Sequence, residues 1–122
     1  AKDGEGAAKL IEVRVNGAKT DEDAKKIAKQ IVGSNLVKTA VYGADANWGR
    51  IICAIGYADA MVNPDNVDIS MGPIVMLKGS EPQPFSEEEA RAYLQNDEII
   101  IEVDLHLGNG TGVAWGCDLT YD

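Results

Sequence analysis

Apolar and polar residues alternate from the start of the interpretable pattern, with Ile11, Val13 and Val15 on one side and Glu12, Arg14 and Asn16 on the other. A period of two predicts a half-buried strand. The period then lengthens: Ala24, Ile27, Ala28, Ile31 and Val32 recur at helical spacing, with Thr20 placed to cap the helix and Gly33 to end it. The pairs Asp21 to Lys25 and Glu22 to Lys26 stand in the favourable acid-first order one turn apart. Leu36 to Tyr42, rich in β-branched and aromatic residues between Asn35 and Gly43, reads as a second strand. From Gly49 to about Met61, Ile51, Ile52, Ala54, Ile55 and Ala58 form a wide apolar face, which predicts a largely buried helix that Asn63 and Pro64 break.

Val67, Ile69 and Met71 alternate with Asp68 and Ser70, Gly72-Pro73 turns the chain, and Ile74 to Leu77 reads as another short strand. Two prolines and a glycine make Lys78 to Phe85 a loop. Ser86, with Glu89 three positions on, has the pattern of a capping box ahead of a short helix to about Gln95, its apolar face made by Ala90, Tyr93 and Leu94. The series Ile99, Ile101, Val103, Leu105, Leu107 and the series Val113, Trp115, Cys117, Leu119, Tyr121 flank Gly108-Asn109-Gly110-Thr111. Asn-Gly favours a tight turn, so this stretch predicts a long antiparallel hairpin with one face in the core.

The predicted order is β-α-β-α-β-β-α-β-β. It fits an α+β two-layer domain, one mixed β-sheet with helices packed mainly on one face, taking residues 1–122 as a single domain. Composition agrees: 45% of the 122 residues are hydrophobic and 25% charged, as in ordinary globular proteins.

Charge narrows the partners. Eleven basic residues against 20 acidic ones give a net charge of −9, a field that repels nucleic acid and anionic membrane surfaces. Lys25, Lys26 and Lys29 form no basic patch, because Asp21, Glu22 and Asp23 share their stretch. Cys53 and Cys117 are the only cysteines and His106 the only histidine, too few soft ligands for a structural zinc site, so no metal is expected. Cys53, inside the apolar run Ile51 to Ile55, reads as a buried free thiol, with one long-range disulfide as the alternative. No apolar run approaches the roughly 20 residues needed to span a bilayer, and the default setting is a reduced cytoplasm.

Candidate chemistry is sparse. His106 shares the parity of Glu102 and Asp104, which puts it on an outer or interface face of a strand, away from either cysteine. Ser34, Ser70, Ser80 and Ser86 lie at turns, strand faces or caps without a base, so no nucleophile and base pair up. Two segments stand out. Asp3-Gly4-Glu5-Gly6-Ala7-Ala8-Lys9 sets one carboxylate between two glycines, which suits either a loose tail or close approach of a ligand to Glu5. Gly43 to Arg50 leads from the expected strand into a helix, which suits either anion binding helped by Arg50 or a plain Asn47 cap with Trp48 as a packed anchor.

These segments also carry a resemblance. Asp3 to Lys9 resembles the D-G-E-G-A-T-K motif of the ornithine acetyltransferases. Leu36-Val37-Lys38-Thr39-Ala40 and Asp45-Ala46-Asn47-Trp48-Gly49-Arg50-Ile51 look like that family's L-V-K-T-A and D-P-N-W-G-R-I, and Cys117-Asp118-Leu119-Thr120-Tyr121 is similar to its C-D-L-S/T pattern. The matches run in family order along nearly the whole chain.

The resemblance implies an enzyme of arginine synthesis whose precursor cleaves itself into α and β chains, freeing an amino-terminal threonine. That threonine takes acetyl from N-acetylornithine, releasing ornithine, and passes it to glutamate. Many members also use acetyl-CoA, here a co-substrate; no bound cofactor is expected. The implied partners are the α chain of the same precursor, in an α2β2 heterotetramer, and the implied substrate contact in this span is Glu5.

The departures are informative. The family's nucleophile and oxyanion-hole residues lie upstream of D-G-E-G, so no catalytic residue is expected in this span. Its substrate-contacting tail, an I-N-A-D-Y-R-T-like run, would follow Asp122. Ala8 stands where the family usually has threonine. The expectation is the carboxyl-terminal part of a β chain, inactive alone; the alternative is a non-enzymatic small-ligand-binding regulatory module.

Overall fold

A computed structural model of the chain describes residues 9–117. In chain order the elements are β1 (Leu10–Ala18), α1 (Asp21–Gly33), α2 (Asn35–Tyr42), α3 (Trp48–Tyr57), β2 (Asp68–Met71), β3 (Ile74–Lys78), β4 (Glu81–Pro82), α4 (Glu87–Leu94), β5 (Glu98–Asp104) and β6 (Gly110–Cys117). The strands form one mixed sheet in the order β4-β3-β2-β5-β1-β6. The predicted class, a mixed sheet with helices in an α+β arrangement, is the one observed.

Alternation decides which side of the sheet is dry. Ile11, Val13 and Val15 of β1 and Ile99, Ile101 and Val103 of β5 are buried, while Glu12, Arg14, Glu102 and Asp104 between them are half-buried. On the apolar side α1 lies across β1 and β6, with α2 and α3 packed against α1. Thr20 caps α1 as expected, its hydroxyl accepting the Asp23 N–H at 3.0 Å, and Ser86 caps α4 by accepting from Glu89 N–H at 3.1 Å.

Leu36 to Tyr42 is a helix, not the predicted strand. Ser34 closes α1 and at the same time caps α2, its hydroxyl accepting the Val37 N–H at 3.2 Å. Val37, Ala40 and Val41 are buried at helical spacing against α1 and α3, and the Thr39 hydroxyl is satisfied by the Asn35 carbonyl at 2.7 Å. Tertiary burial of one helical face outweighs the local preference of β-branched residues for strands. The next helix also ends earlier than predicted, because Ala58 is already extended and donates its N–H to the Ile55 carbonyl. Cys53 falls on the outward side of α3 and its free thiol is exposed, which corrects the buried reading: the apolar run is helical, so Ile51, Ala54 and Ile55 are buried, Ile52 packs partly against the core, and Cys53 faces out. Within the predicted loop Lys78 to Phe85, Glu81–Pro82 adds a short edge strand to β3.

The predicted carboxyl-terminal hairpin does not form. β5 pairs with β1 in parallel and β1 pairs with β6 antiparallel, so β1 is inserted between the two series. Asn109 does not take the positive φ that an Asn-Gly hairpin turn requires; His106 does, at 55°. Face assignment is reversed as well. Gly110, Gly112 and Ala114 are buried, whereas Val113 and Trp115 are exposed. The cause is proximity: a Cβ on Gly110 would overlap the Thr20 carbonyl, and one on Gly112 would come within 2.7 Å of the Lys25 nitrogen. The small residues of β6 let the first turns of α1 sit on the strand backbone, and that intimacy turns the large residues outward. Leu119 and Tyr121, also part of the hairpin reading, lie outside the described residues.

Candidate functional site

Glu5, the substrate contact implied by the family resemblance, lies outside the described residues together with the rest of Asp3 to Ala8. Lys9, the last residue of that motif, is anchored: its ammonium donates to the Leu94 carbonyl at 2.6 Å and the Asn96 carbonyl at 3.1 Å. The motif therefore enters the fold beside the end of α4, next to the start of β5, where the Leu10 N–H meets the Asp97 carbonyl at 2.8 Å.

The Gly43 to Arg50 segment connects two helices rather than a strand and a helix. Asn47 is the cap of α3, its side-chain oxygen accepting the Arg50 N–H at 3.2 Å, and Trp48 packs half-buried against the core. The Arg50 guanidinium donates to the Leu36 carbonyl at 3.0 Å. Of the two readings open for this segment, cap and packed anchor is the one the geometry has.

The polar groups of the domain meet on the open face of the sheet. Register places Glu12 beside Ile100 on one side and Trp115 on the other, and Arg14 between Glu102 and Val113. The Arg14 guanidinium bonds Glu12 and reaches Glu102 at 3.7 Å, while the Trp115 indole donates to Glu12 at 3.1 Å. Those donors, Arg14 first and then Trp115, hold the Glu12 carboxyl below its ordinary value; Glu12 in turn raises Arg14.

At the far end of the same face a cleft of about 200 Å³ is lined by Asn16, Asp68, Ser70, Glu102, Val103 and Asp104. His106 closes it. Its Nε2 stands 2.9 Å from Asp68 Oδ2 and its Nδ1 3.6 Å from Asp104 Oδ1, which also accepts the His106 backbone N–H at 3.0 Å. Gly17, at a positive φ of 71°, lies under this turn; a Cβ there would meet the Asp104 carboxylate and the His106 nitrogen. Partial burial pushes the Asp68 carboxyl upward, but the Gly79 N–H, His106 and the Lys78 charge outweigh it, leaving the group below its ordinary value.

The imidazole partners are carboxylates rather than a hydroxyl or thiol, so this cluster orients and staples, joining β2, the end of β5 and the turn at Gly79; it carries no nucleophile. Among the described residues, no group of three or more His, Cys, Asp or Glu is placed to hold a metal ion, and no helix is long and apolar enough to cross a membrane. Sequence reasoning saw the alternating charges but put His106 on a strand face with them, whereas β5 ends at Asp104 and His106 sits in the bend after it at a φ of 55°; it also missed the grouping. Only the parallel β1–β5 register brings Arg14 to Glu102, and nothing local encodes that pairing.

The class defined so far is an α+β domain with one helix-covered face, one polar open face and a glycine-flanked carboxylate motif preceding β1, the strand inside the β6 edge. The model of the family described as the ArgJ family matches residues 1–122, and the chain belongs to that family. It is 84% identical, over all of its 122 residues, to a protein of Geobacillus stearothermophilus called arginine biosynthesis bifunctional protein ArgJ, and 69% identical over its whole length to the protein of that name from Halalkalibacterium halodurans. The chain spans 30% of the length of each. The crystal structure of arginine biosynthesis bifunctional protein argJ from Bacillus halodurans superposes with a TM-score of 0.91 at 69% identity, covering 100% of this chain and 58% of that one.

Proposed function

We propose that this chain is the carboxyl-terminal part of the β chain of a bifunctional enzyme that transfers acetyl from N-acetylornithine to glutamate, with acetyl-CoA as a second donor. The observation that carries the reading is the family match over all 122 residues, supported by 84% identity to a relative named for arginine biosynthesis. The described residues offer an oriented histidine and paired carboxylates but no activated nucleophile, which suits a span whose chemistry is completed from outside it.

In this reading an amino-terminal threonine, freed when the precursor cleaves itself into α and β chains, is the nucleophile. Its hydroxyl oxygen bonds the acetyl carbonyl carbon, the ornithine amine leaves with a proton, and the glutamate amine then takes the acetyl group and restores the hydroxyl. The freed α-amine serves as base and an oxyanion hole stabilises each tetrahedral intermediate. This span contributes Glu5, whose carboxylate holds an ammonium group of ornithine. The assembly is an α2β2 heterotetramer in the cytoplasm, and residues 1–122 form one domain that is inert alone.

The test is acetyl transfer by the complete protein. Mixed with N-acetylornithine and glutamate, it should release ornithine and form N-acetylglutamate in equal amounts. Binding of ornithine or glutamate without any turnover would instead identify a regulatory module.

A further inference from the structure

Helix α3 is apolar around nearly its whole circumference. Ile51, Ala54 and Ile55 face the core with Ile52 partly buried against it, while Gly49, Cys53, Gly56 and Tyr57 recur at the spacing of a second, uncharged stripe on the opposite side. Arg50, the one charged residue in the helix, is turned aside to the Leu36 carbonyl. A surface helix normally presents charge outward, and α1 of the same protein does so through Glu22, Lys25, Lys26 and Lys29. The outer stripe of α3 instead leaves Tyr57 80% exposed, and Met61 beyond it is 57% exposed. Beside it opens a cleft of about 290 Å³ lined by Ile55, Gly56, Ala58, Ala60, Val62 and Pro64, without a single charged group. Helices that are apolar on all sides are buried ones. The open sheet face differs: Trp115 is exposed there too, but its indole is bonded to Glu12 amid an ion-pair network.

The occupant follows from lengths and charge. The solved relative keeps this fold over the entire chain, yet the chain accounts for only 58% of it, so a large part of such a polypeptide lies outside the matched span and is available to cover a bare face. A second copy is the poorer candidate, because two chains of net charge −9 would be brought together. We propose that the outer face of α3 and the adjoining cleft are covered, in the complete protein, by an uncharged apolar segment of the same polypeptide from outside residues 1–122. The proposal needs only that the chain is part of a longer protein; it stands or falls separately from acetyl transfer.

Cys53 lies in the middle of the stripe and reports on it. In the complete protein, alkylation of Cys53 by a small maleimide, located by peptide mass spectrometry, should be at least tenfold slower in the folded state than after unfolding in urea, and this protection should not change on dilution. Gly56→Leu supplies a second reading. Nothing lies within 4 Å of a Cβ added at Gly56, so on a free surface the change is neutral or raises Tm, whereas against a packed segment it lowers Tm. We expect protection of Cys53 and a lowered Tm. Cys53 reacting at the unfolded rate overturns the proposal even if the Gly56 variant fails to fold, and protection lost on dilution assigns the face to a second copy instead.

Discussion

The Tyr93 hydroxyl accepts the backbone N–H of Ile100 at 2.8 Å, taking the place of a strand that has just ended. The Ile100 carbonyl, on the same side, accepts from Gly72 at 2.9 Å, one residue past the last residue of β2. A side chain on α4 thus completes the hydrogen bonding of β5 and ties helix to sheet. Tyr93→Phe keeps the ring and removes the acceptor, leaving a part-buried N–H unpaired. The expected loss is about 1 kcal/mol, within the range for a single hydrogen bond, and the urea midpoint at unchanged m-value measures it. An unchanged midpoint would mean that water replaces the hydroxyl at no cost.

Close packing of α1 on β6 makes a second outcome foreseeable. Gly112→Val sets side-chain atoms against the backbone of Ala24 and Lys25, which cannot yield as a flexible side chain would. A cost at or above about 3 kcal/mol is expected, the upper end for overpacking. Gly33→Ala, where nothing lies within 4 Å, is the control and should be neutral or slightly stabilising. Equal effects of the two changes in chemical unfolding would contradict the packing described for β6.

Acid unfolding should register Asp68. Its carboxyl titrates below the ordinary value of 3.8 in the folded protein, so as pH falls the unfolded chain takes up this proton first. The stabilisation is complete above about pH 5 and disappears as pH drops through the folded value. Because the side chain is 31% exposed, the contribution is under about 1 kcal/mol. Asp68→Asn should flatten the acid limb of a plot of stability against pH below about pH 5. If the limb keeps its slope in the variant, other carboxylates dominate it.

For the complete enzyme, Glu5→Gln preserves shape and removes charge at the proposed ornithine contact. A charge-assisted hydrogen bond of roughly 1.5–3 kcal/mol corresponds to about a ten- to hundredfold loss in kcat/KM for the ornithine half-reaction. Self-cleavage should be largely spared. Steady-state kinetics on the properly cleaved variant decide it, and an unaltered kcat/KM would reduce Glu5 to a lead-in for β1.

What could be read in advance tracks how local the cause is. β1, α1, the core of α3 and β5 each carry a full amphipathic period, and their buried residues were assigned to the right face. Leu36 to Tyr42 spans too few residues for its period to show, and the helix there depends on α1 and α3 being present to bury Val37, Ala40 and Val41. β6 misled for a sharper reason. Its bulky residues, Val113 and Trp115, have the right alternation but the wrong face, because close approach of α1 selects glycine and alanine for the inside. The polar face was visible as single alternating charges, never as a cluster. Glu5 was singled out by its flanking glycines and given a role only by family resemblance.

Placing β1 between β5 and β6 separates the order of synthesis from the order of assembly. The first strand of this span must wait for its last: Glu12 and Trp115, bonded side by side in the sheet, are 103 positions apart in the chain. A nascent chain emerging from the ribosome holds β1 with neither neighbour available until the helices and strands between them have been made. Loop closure over such a span is entropically costly before any contact rewards it, which makes for slow folding and a long-lived bare strand. A chain stopped just before Gly110 would keep β5 on one side of β1 and expose the whole other edge, a template for pairing with a stranger.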